Sequence, residues 1–236
     1  MIILTTSFNC ENFIEKSLLS ISQQTFQDFT CYITDDLSTD NTIDKIKKII
    51  DGDNRFQLIQ NKTKLFQPGN YDQIIRGKNI PDDEICVEVD GDDWLYNDSI
   101  LEKIFQIYKE ENIWMTSGSF VFQDGRESGQ KPPPPTSNLR NSHFNLSHLR
   151  TWKSWLWKKI NKEDLQDENA QYWNVAGDVS FMFPMYEMSG EEHFKFISEP
   201  LYVYNDSNPI NDYKVNEGRM WEVDNIIKQK KPYSSL

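Results

Sequence analysis

Val87-Glu88-Val89-Asp90-Gly91-Asp92-Asp93-Trp94-Leu95 decides how this chain is read. Alternating apolar and polar residues give way there to three carboxylates within four positions. At the tip of a buried strand such acids repel one another and resist desolvation unless a cation lies between them. A hard divalent metal with oxygen ligands, itself holding something anionic, accounts for the cluster. A calcium-binding EF-hand loop does not, because the sixth position counted from Asp90 is Leu95 and the twelfth is Leu101. The plainer alternative is an acidic turn capping a helix that starts near Asn97-Asp98-Ser99.

Around that cluster the first half alternates two patterns. Strand-like runs cover residues 2–7, 29–35, 56–60 and 85–90, with amphipathic stretches at 11–23, 39–50 and 70–78. Such alternation predicts an α/β fold, a mostly parallel sheet flanked by helices. Ligands of open sheets of this kind gather at the carboxyl ends of the strands. Those ends carry Thr6-Ser7-Phe8-Asn9, Asp35-Asp36 and Asp90-Gly91-Asp92-Asp93, so the three polar tips converge on one crevice. Arg76 and Lys78, at the end of the third amphipathic stretch, read as surface residues.

The second half predicts a helix over 99–110 and a strand over 113–122, followed by a turn-rich segment. That segment contains Lys131-Pro132-Pro133-Pro134-Pro135-Thr136, a stiff polyproline II element that cannot join a sheet ladder. We read this Pro-rich loop, residues 124–140, as an extended arm that packs on a second subunit in a homodimer. Trp152 and Trp155 are spaced to share a helical face. There they either line an acceptor cleft or belong to the core. Asp178 lies in the apolar stretch Val175-Ala176-Gly177-Asp178-Val179 and either caps a helix beginning near Val179 or does chemistry.

Composition narrows the classes of partner. The chain has 236 residues, 37% of them hydrophobic, with seven Trp, enough for one sizeable core. A net charge of −12 argues against a general nucleic-acid binder. There is no apolar run of about 18 residues to span a membrane. No basic and apolar leader pattern precedes the run at 2–7, which points to the cytoplasm. Cys10, Cys31 and Cys86 are odd in number and lack metal-binding spacing, so they read as free thiols. Of the four sequons, at Asn61, Asn97, Asn145 and Asn205, the second sits so near the acidic cluster that a glycan would obstruct it.

These blocks resemble family 2 glycosyltransferases with the GT-A fold. Leu4-Thr5-Thr6-Ser7-Phe8-Asn9 looks like the family's first strand, and Asp35-Asp36-Leu37-Ser38-Thr39-Asp40 is similar to its Asp-Asp-Gly-Ser-x-Asp motif with Leu37 in place of Gly. Asp90-Gly91-Asp92-Asp93 resembles its Asp-x-Asp motif, and Gly177-Asp178 falls where such enzymes keep a catalytic base. The second half is similar to a narrower subgroup found in bacteria and large DNA viruses.

The resemblance implies a single GT-A domain over 1–236, Rossmann-like, with a nucleotide-sugar half (1–98) and an acceptor half (99–236). It implies a nucleoside diphosphate sugar donor, a UDP-sugar by preference, and a glycan or glycoprotein acceptor. Thr5, Ser7, Asp35, Asp36, Asp90 and Gly91 would bind the nucleotide. Asp92 and Asp93 would ligate Mn²⁺ or Mg²⁺. Asp178 would take the acceptor's proton, with inversion at the anomeric carbon. Trp152, Trp155, Lys214 and Arg219 are candidates for acceptor or phosphate contacts. No C-terminal His stands out to complete the metal site. The competing readings are a catalytically degenerate glycan-binding module and a sugar-nucleotide pyrophosphorylase. The second would need a Gly-rich basic loop, whereas Ser7-Phe8-Asn9-Cys10-Glu11-Asn12 has neither Gly nor a basic residue.

Overall fold

The computed structural model describes residues 1–236. In chain order the elements are β1 (Ile2–Ser7), α1 (Ile14–Ser22), β2 (Thr30–Asp35), α2 (Thr42–Ile50), β3 (Phe56–Gln60), α3 (Phe66–Ile75), β4 (Ile85–Glu88), β5 (Trp94–Leu95) and α4 (Ile100–Glu110). There follow β6 (Met115–Phe122), β7 (Thr151–Lys153), α5 (Ser154–Lys158), α6 (Gly177–Ser189), β8 (Phe194–Tyr204), α7 (Asp212–Val215) and α8 (Glu217–Gln229). Short 3-10 turns occupy Thr136–Asn141 and Lys162–Leu165.

One eight-stranded sheet, ordered β3-β2-β1-β4-β7-β6-β8-β5, runs through the molecule. The β3-β2-β1-β4 half is parallel throughout, as the alternating pattern predicts. The antiparallel strands β7 and β5 belong to the other half. Each face carries its own core, of 27 and 25 buried residues, so the sheet is covered about equally on both sides. Helix α1 buries Ile14, Ser17, Leu18 and Ile21, a stripe at helical spacing. Helix α6 is buried almost all round and forms the centre of the other core.

Strand alternation decides what reaches the crevice. Ile3, Cys31 and Val87 point into the core that includes α1 and α4. Ile2, Leu4 and Cys86 point into the core that includes α3 and α6. With a period of two, Thr6 joins the second set on β1, and Glu88 and Asp90 join it on β4.

Several expectations change. Residues 151–157 are not one helix: Trp152 sits in β7 opposite Cys86, and the chain turns into α5 only at Ser154. The three-residue spacing of Trp152 and Trp155 therefore does not put them on one face. Helix α3 begins at Phe66, four residues ahead of the expected start, with Pro68 in its first turn where a missing N–H costs nothing. Arg76 is no free surface residue. It pairs with Asp72 at 2.5 Å and donates to the carbonyls of Trp157 at 3.1 Å and Ile160 at 2.5 Å, tying α3 to the segment after α5. The proline arm, whose reading as a subunit contact stands as an expectation, also bonds within its own chain: Tyr186 donates to the Pro134 carbonyl at 3.1 Å and Asn145 to that of Pro132 at 3.2 Å.

Candidate active site

The acidic turn is built by backbone bonds that need a glycine. Past β4 the ladder continues as Val89 N–H donates to Leu4 O and Gly91 N–H donates to Thr6 O at 2.9 Å. A Cβ on Gly91 would stand 2.7 Å from that same Thr6 oxygen, so only glycine allows the turn to close on β1. Asp93 N–H then donates to Asp90 O, and the Asp90 N–H donates to the Tyr202 hydroxyl at 3.0 Å. Asp90 and Asp92 keep an open edge, while Asp93 is buried.

The three acids have different partners. Asp90 accepts from Thr6 Oγ1 at 3.4 Å and Asp92 accepts from Asn208 Nδ2 at 2.7 Å. Asp93 accepts the Asn205 N–H at 2.7 Å, which fastens the turn to the end of β8. Asp93 is thus an anchor, and Asp92 is the member of the pair left open to the crevice. Asn205 and Asn208 come from a polar segment whose role no sequence spacing revealed.

Behind the turn stands Arg150, whose partners no sequence spacing revealed. Arg150, 5% exposed, lies beside Glu88 in the β4–β7 pairing, where Glu88 N–H donates to Arg150 O. Its Nη1 donates to Glu88 Oε1 at 2.7 Å and its Nη2 to Asp178 Oδ2 at 2.6 Å. Asp178 occupies the first turn of α6, its Oδ1 accepting the Val179 N–H. Asp178 is not the cap of α6, whose N-cap is Ala176 with no side-chain cap bond; it lies inside the first turn and its carboxylate reaches the Arg150–Glu88 pair.

Burial and mutual repulsion raise the pKa values here. Burial, then the charges of Glu88 and Asp92, pushes Asp90 well above the usual carboxylate range. Asp93 is likewise raised by burial, then by Asp92 and Asp90, and Asp92 is raised by burial. Burial takes Glu88 up to about 7 against the pull of Arg150. His148, stacked on Tyr202 at 4.5 Å, is held neutral by burial and by Arg150. Acids raised together in this way hold protons that a divalent cation would displace.

The donor set fits such a cation. Ligand atoms of Glu88, Asp90 and His148 lie within 4.8 Å of one another. Glu88 Oε2 and His148 Nδ1 are buried without a hydrogen-bond partner. Carboxylate oxygens suit Mn²⁺ or Mg²⁺, and an added imidazole shifts the set toward a transition ion such as Mn²⁺. His148, just ahead of β7, brings an imidazole to the Glu88 and Asp90 side of the crevice.

Other expected residues fall elsewhere. Thr5 and Ser7 are turned into the sheet, bonded to Cys31 Sγ and the Thr34 carbonyl, and the alternation presents Thr6 instead. Asp35 accepts from Ser38 N–H and organises the turn after β2. Asp36 accepts the Leu65 and Phe66 N–H groups and Asn61 Nδ2, holding the loop before α3. That loop borders a cavity of about 370 Å³ lined by Lys64, Leu65, Phe66, Ala170, Gln171 and Tyr172. Trp152 is wholly buried against Tyr71, Trp157 and Phe181. Trp155 packs on Trp114 just after Lys153, which pairs with the start of β4, away from the acids. Neither lines the crevice. Lys214 donates to the carbonyls of Asp206 and Asn208 and braces the loop that reaches Asp92. Arg219 makes an exposed pair with Glu222 and no contact with the acids.

Residues 2–183 match Glycosyl transferase family 2. The chain belongs to that family. An uncharacterized glycosyltransferase from Haemophilus influenzae is 30% identical over 125 residues, covering 52% of this chain and 47% of its own length. A second from the same organism is 29% identical over 120 residues, covering 50% of this chain and 36% of its own length. The chain thus spans about half or less of these relatives. Among solved structures, S. aureus TarS 1-349 in complex with UDP-GlcNAc is similar at a TM-score of 0.71 and 18% identity, over 96% of this chain and 64% of that one. The mannosyltransferase PcManGT from Pyrobaculum calidifontis, in complex with GDP-Man and Mn²⁺, is similar at a TM-score of 0.65 and 14% identity, over 98% and 65%. The fold is therefore GT-A. No helix in it is long and apolar enough to cross a membrane.

Proposed function

We propose that this protein is a glycosyltransferase that moves a sugar from a UDP-sugar to a hydroxyl of a glycan or glycoconjugate, with inversion and with Mn²⁺ or Mg²⁺ as cofactor. Residues 1–98 serve the donor and 99–236 the acceptor. The observation that carries this reading is the gathering of Glu88, Asp90 and Asp178 at the sheet's carboxyl end, where Arg150 joins Glu88 to Asp178 and the Glu88 and Asp90 ligand atoms lie within 4.8 Å of each other. Nucleotide sugars in both neighbours, and Mn²⁺ in one, support the cofactor and donor class.

Asp90 and Asp92, with Glu88 and His148 behind them, would hold the cation. A divalent ion bound there supplies Lewis-acid charge to the departing diphosphate. Asp178 uses the lone pairs that Arg150 and Val179 leave free to take the proton of the acceptor hydroxyl as it attacks the anomeric carbon. Asn208 orients Asp92, and the segment around it lies over the diphosphate side. Asp36 and the cavity beside it form the nucleobase side of the crevice.

A nucleotide-release assay over UDP- and GDP-sugars, with Mn²⁺ and with a chelator, tests the assignment. Release with a UDP-sugar, abolished by the chelator and reduced by Asp92→Asn and by Asp178→Asn, is the expected result. Unchanged turnover in both variants would sink the site assignment. A wild type that releases nucleotide from no donor would favour the glycan-binding module. The homodimer through residues 124–140 is proposed on the stiffness of the arm, and deleting 131–135 is expected to lower the light-scattering mass. An unchanged mass counts against that contact.

A further inference from the structure

We propose that Arg150 is a positioning residue for transfer: it fixes the Asp178 carboxylate in the orientation that deprotonates the acceptor and locks that orientation to the donor-side acids through Glu88. This rests on the reading of Asp178 as base. The guanidinium is held on three edges, by Glu88 Oε1 at 2.7 Å, Asp178 Oδ2 at 2.6 Å and the Leu146 carbonyl at 2.8 Å. Its plane therefore has no free rotation, and it carries that rigidity to whatever it grips.

Fold stability asks for less than this arrangement provides. Glu88, wholly buried, already pairs with the guanidinium, and Gln67 Nε2 also donates to Glu88 Oε1 at 3.1 Å. Asp178 has 21% of its side chain exposed, so water could serve its charge. The second ion pair reaches out from the core to a carboxylate at the crevice edge. Apart from Arg150, Asp178 has one hydrogen bond, to the N–H of the residue after it, which leaves the carboxylate plane free to swing. Arg150 removes that freedom. Because the same fork holds Glu88, two positions before Asp90 on one strand face, the attacking and departing sides of the crevice keep a fixed separation.

The test is a cycle of Arg150→Lys, Asp178→Asn and the double variant, with kcat and donor KM from nucleotide release and affinity for UDP from calorimetry. Lysine keeps the charge and loses the fork. Arg150→Lys is expected to lower kcat about 100-fold, the cost of a misplaced catalytic group. Donor KM and UDP affinity should stay at wild-type values. In the double variant the arginine change should cost nothing beyond Asp178→Asn, since a residue acting through another is not additive with it. A wild-type kcat in Arg150→Lys, or a full multiplicative loss in the double variant, overturns the proposal. So does a loss confined to donor KM. Should the lysine variant not fold, Arg150→Gln is measured with the same expectations. Wild-type turnover in Asp178→Asn overturns the base assignment and this proposal together, whereas slow Asp178→Asn with normal Arg150→Lys overturns this one alone.

Discussion

Gly177 is pressed against Pro68: a Cβ on Gly177 would stand 2.7 Å from Pro68 Cδ and 2.8 Å from its Cγ. This contact sets the start of α6 on the first turn of α3, and so sets where Asp178 begins. Proline's ring cannot swing aside as a flexible chain end could. Gly177→Ala is therefore expected to cost about 1–3 kcal/mol of stability through overpacking. It should also lower kcat for sugar transfer, because α6 must shift. Denaturant unfolding and steady-state kinetics on the one variant check both. An alanine enzyme with normal kcat would show that α6 need not sit so close.

Leu37 adopts φ of 70°, the left-handed region, at the position where the family's motif has Gly. Its side chain is 40% exposed, so little burial is lost on removing it. Relief of the left-handed strain is worth about 1–2 kcal/mol. The added freedom of glycine in the unfolded chain takes back about 0.5–1 kcal/mol. Leu37→Gly should gain about 0.5–1 kcal/mol net, read from the urea midpoint. Leu37→Ala keeps the Cβ and should gain nothing.

The acid cluster predicts an inverted pH dependence for the metal-free protein. Glu88 rises from the ordinary 4.5 to about 7 on folding. A raised carboxyl binds its proton more tightly in the native state, so its stabilisation is complete below the unfolded value and is lost as pH climbs through about 7. Asp90 and Asp93, raised by burial, act in the same direction. The melting temperature with chelator should therefore fall from about pH 5, just above the unfolded value, to about pH 8, roughly one unit above the folded one. Mn²⁺ should raise it more at pH 8 than at pH 5, since protons compete with the ion. An equal Mn²⁺ effect at both pH values would place the ion away from these acids.

Trp152 and Trp155 separate packing from recognition. Trp152→Ala is expected to cost about 3–5 kcal/mol, because it empties an aromatic cluster shared with Tyr71, Trp157 and Phe181. Trp155→Ala should leave acceptor KM unchanged, since Trp155 packs on Trp114 at the far end of β4. A raised acceptor KM in Trp155→Ala would restore it to the acceptor site.

The local chemistry was legible in the chain itself. Alternation along 2–7, 29–35, 56–60 and 85–90 gave the parallel half of the sheet, because the period of two and the helical spacing between runs are properties of near neighbours. The acids after β4 announced themselves for the same reason: three carboxylates within four positions are costly wherever the chain goes. Leu37 in place of glycine marked the turn that takes a positive φ.

Partners distant in sequence were decided by the tertiary structure alone. A lone Arg150 between Leu149 and Thr151 carries no signal, yet β7 lays it beside Glu88 and α6 brings Asp178 to its other edge. Tyr202, Asn205 and Asn208 reach the acids through β8 and its loop, and His148 arrives from just ahead of β7, all far along the chain from them. The same packing took Trp152 into the core and turned Thr5 and Ser7 away from the crevice. Sequence determined which chemistry the strand tips could bear, since charge, alternation and turn geometry act over a few residues. Which acid anchors, which is open and which is clamped followed from sheet order and helix packing, which join segments that no local spacing relates.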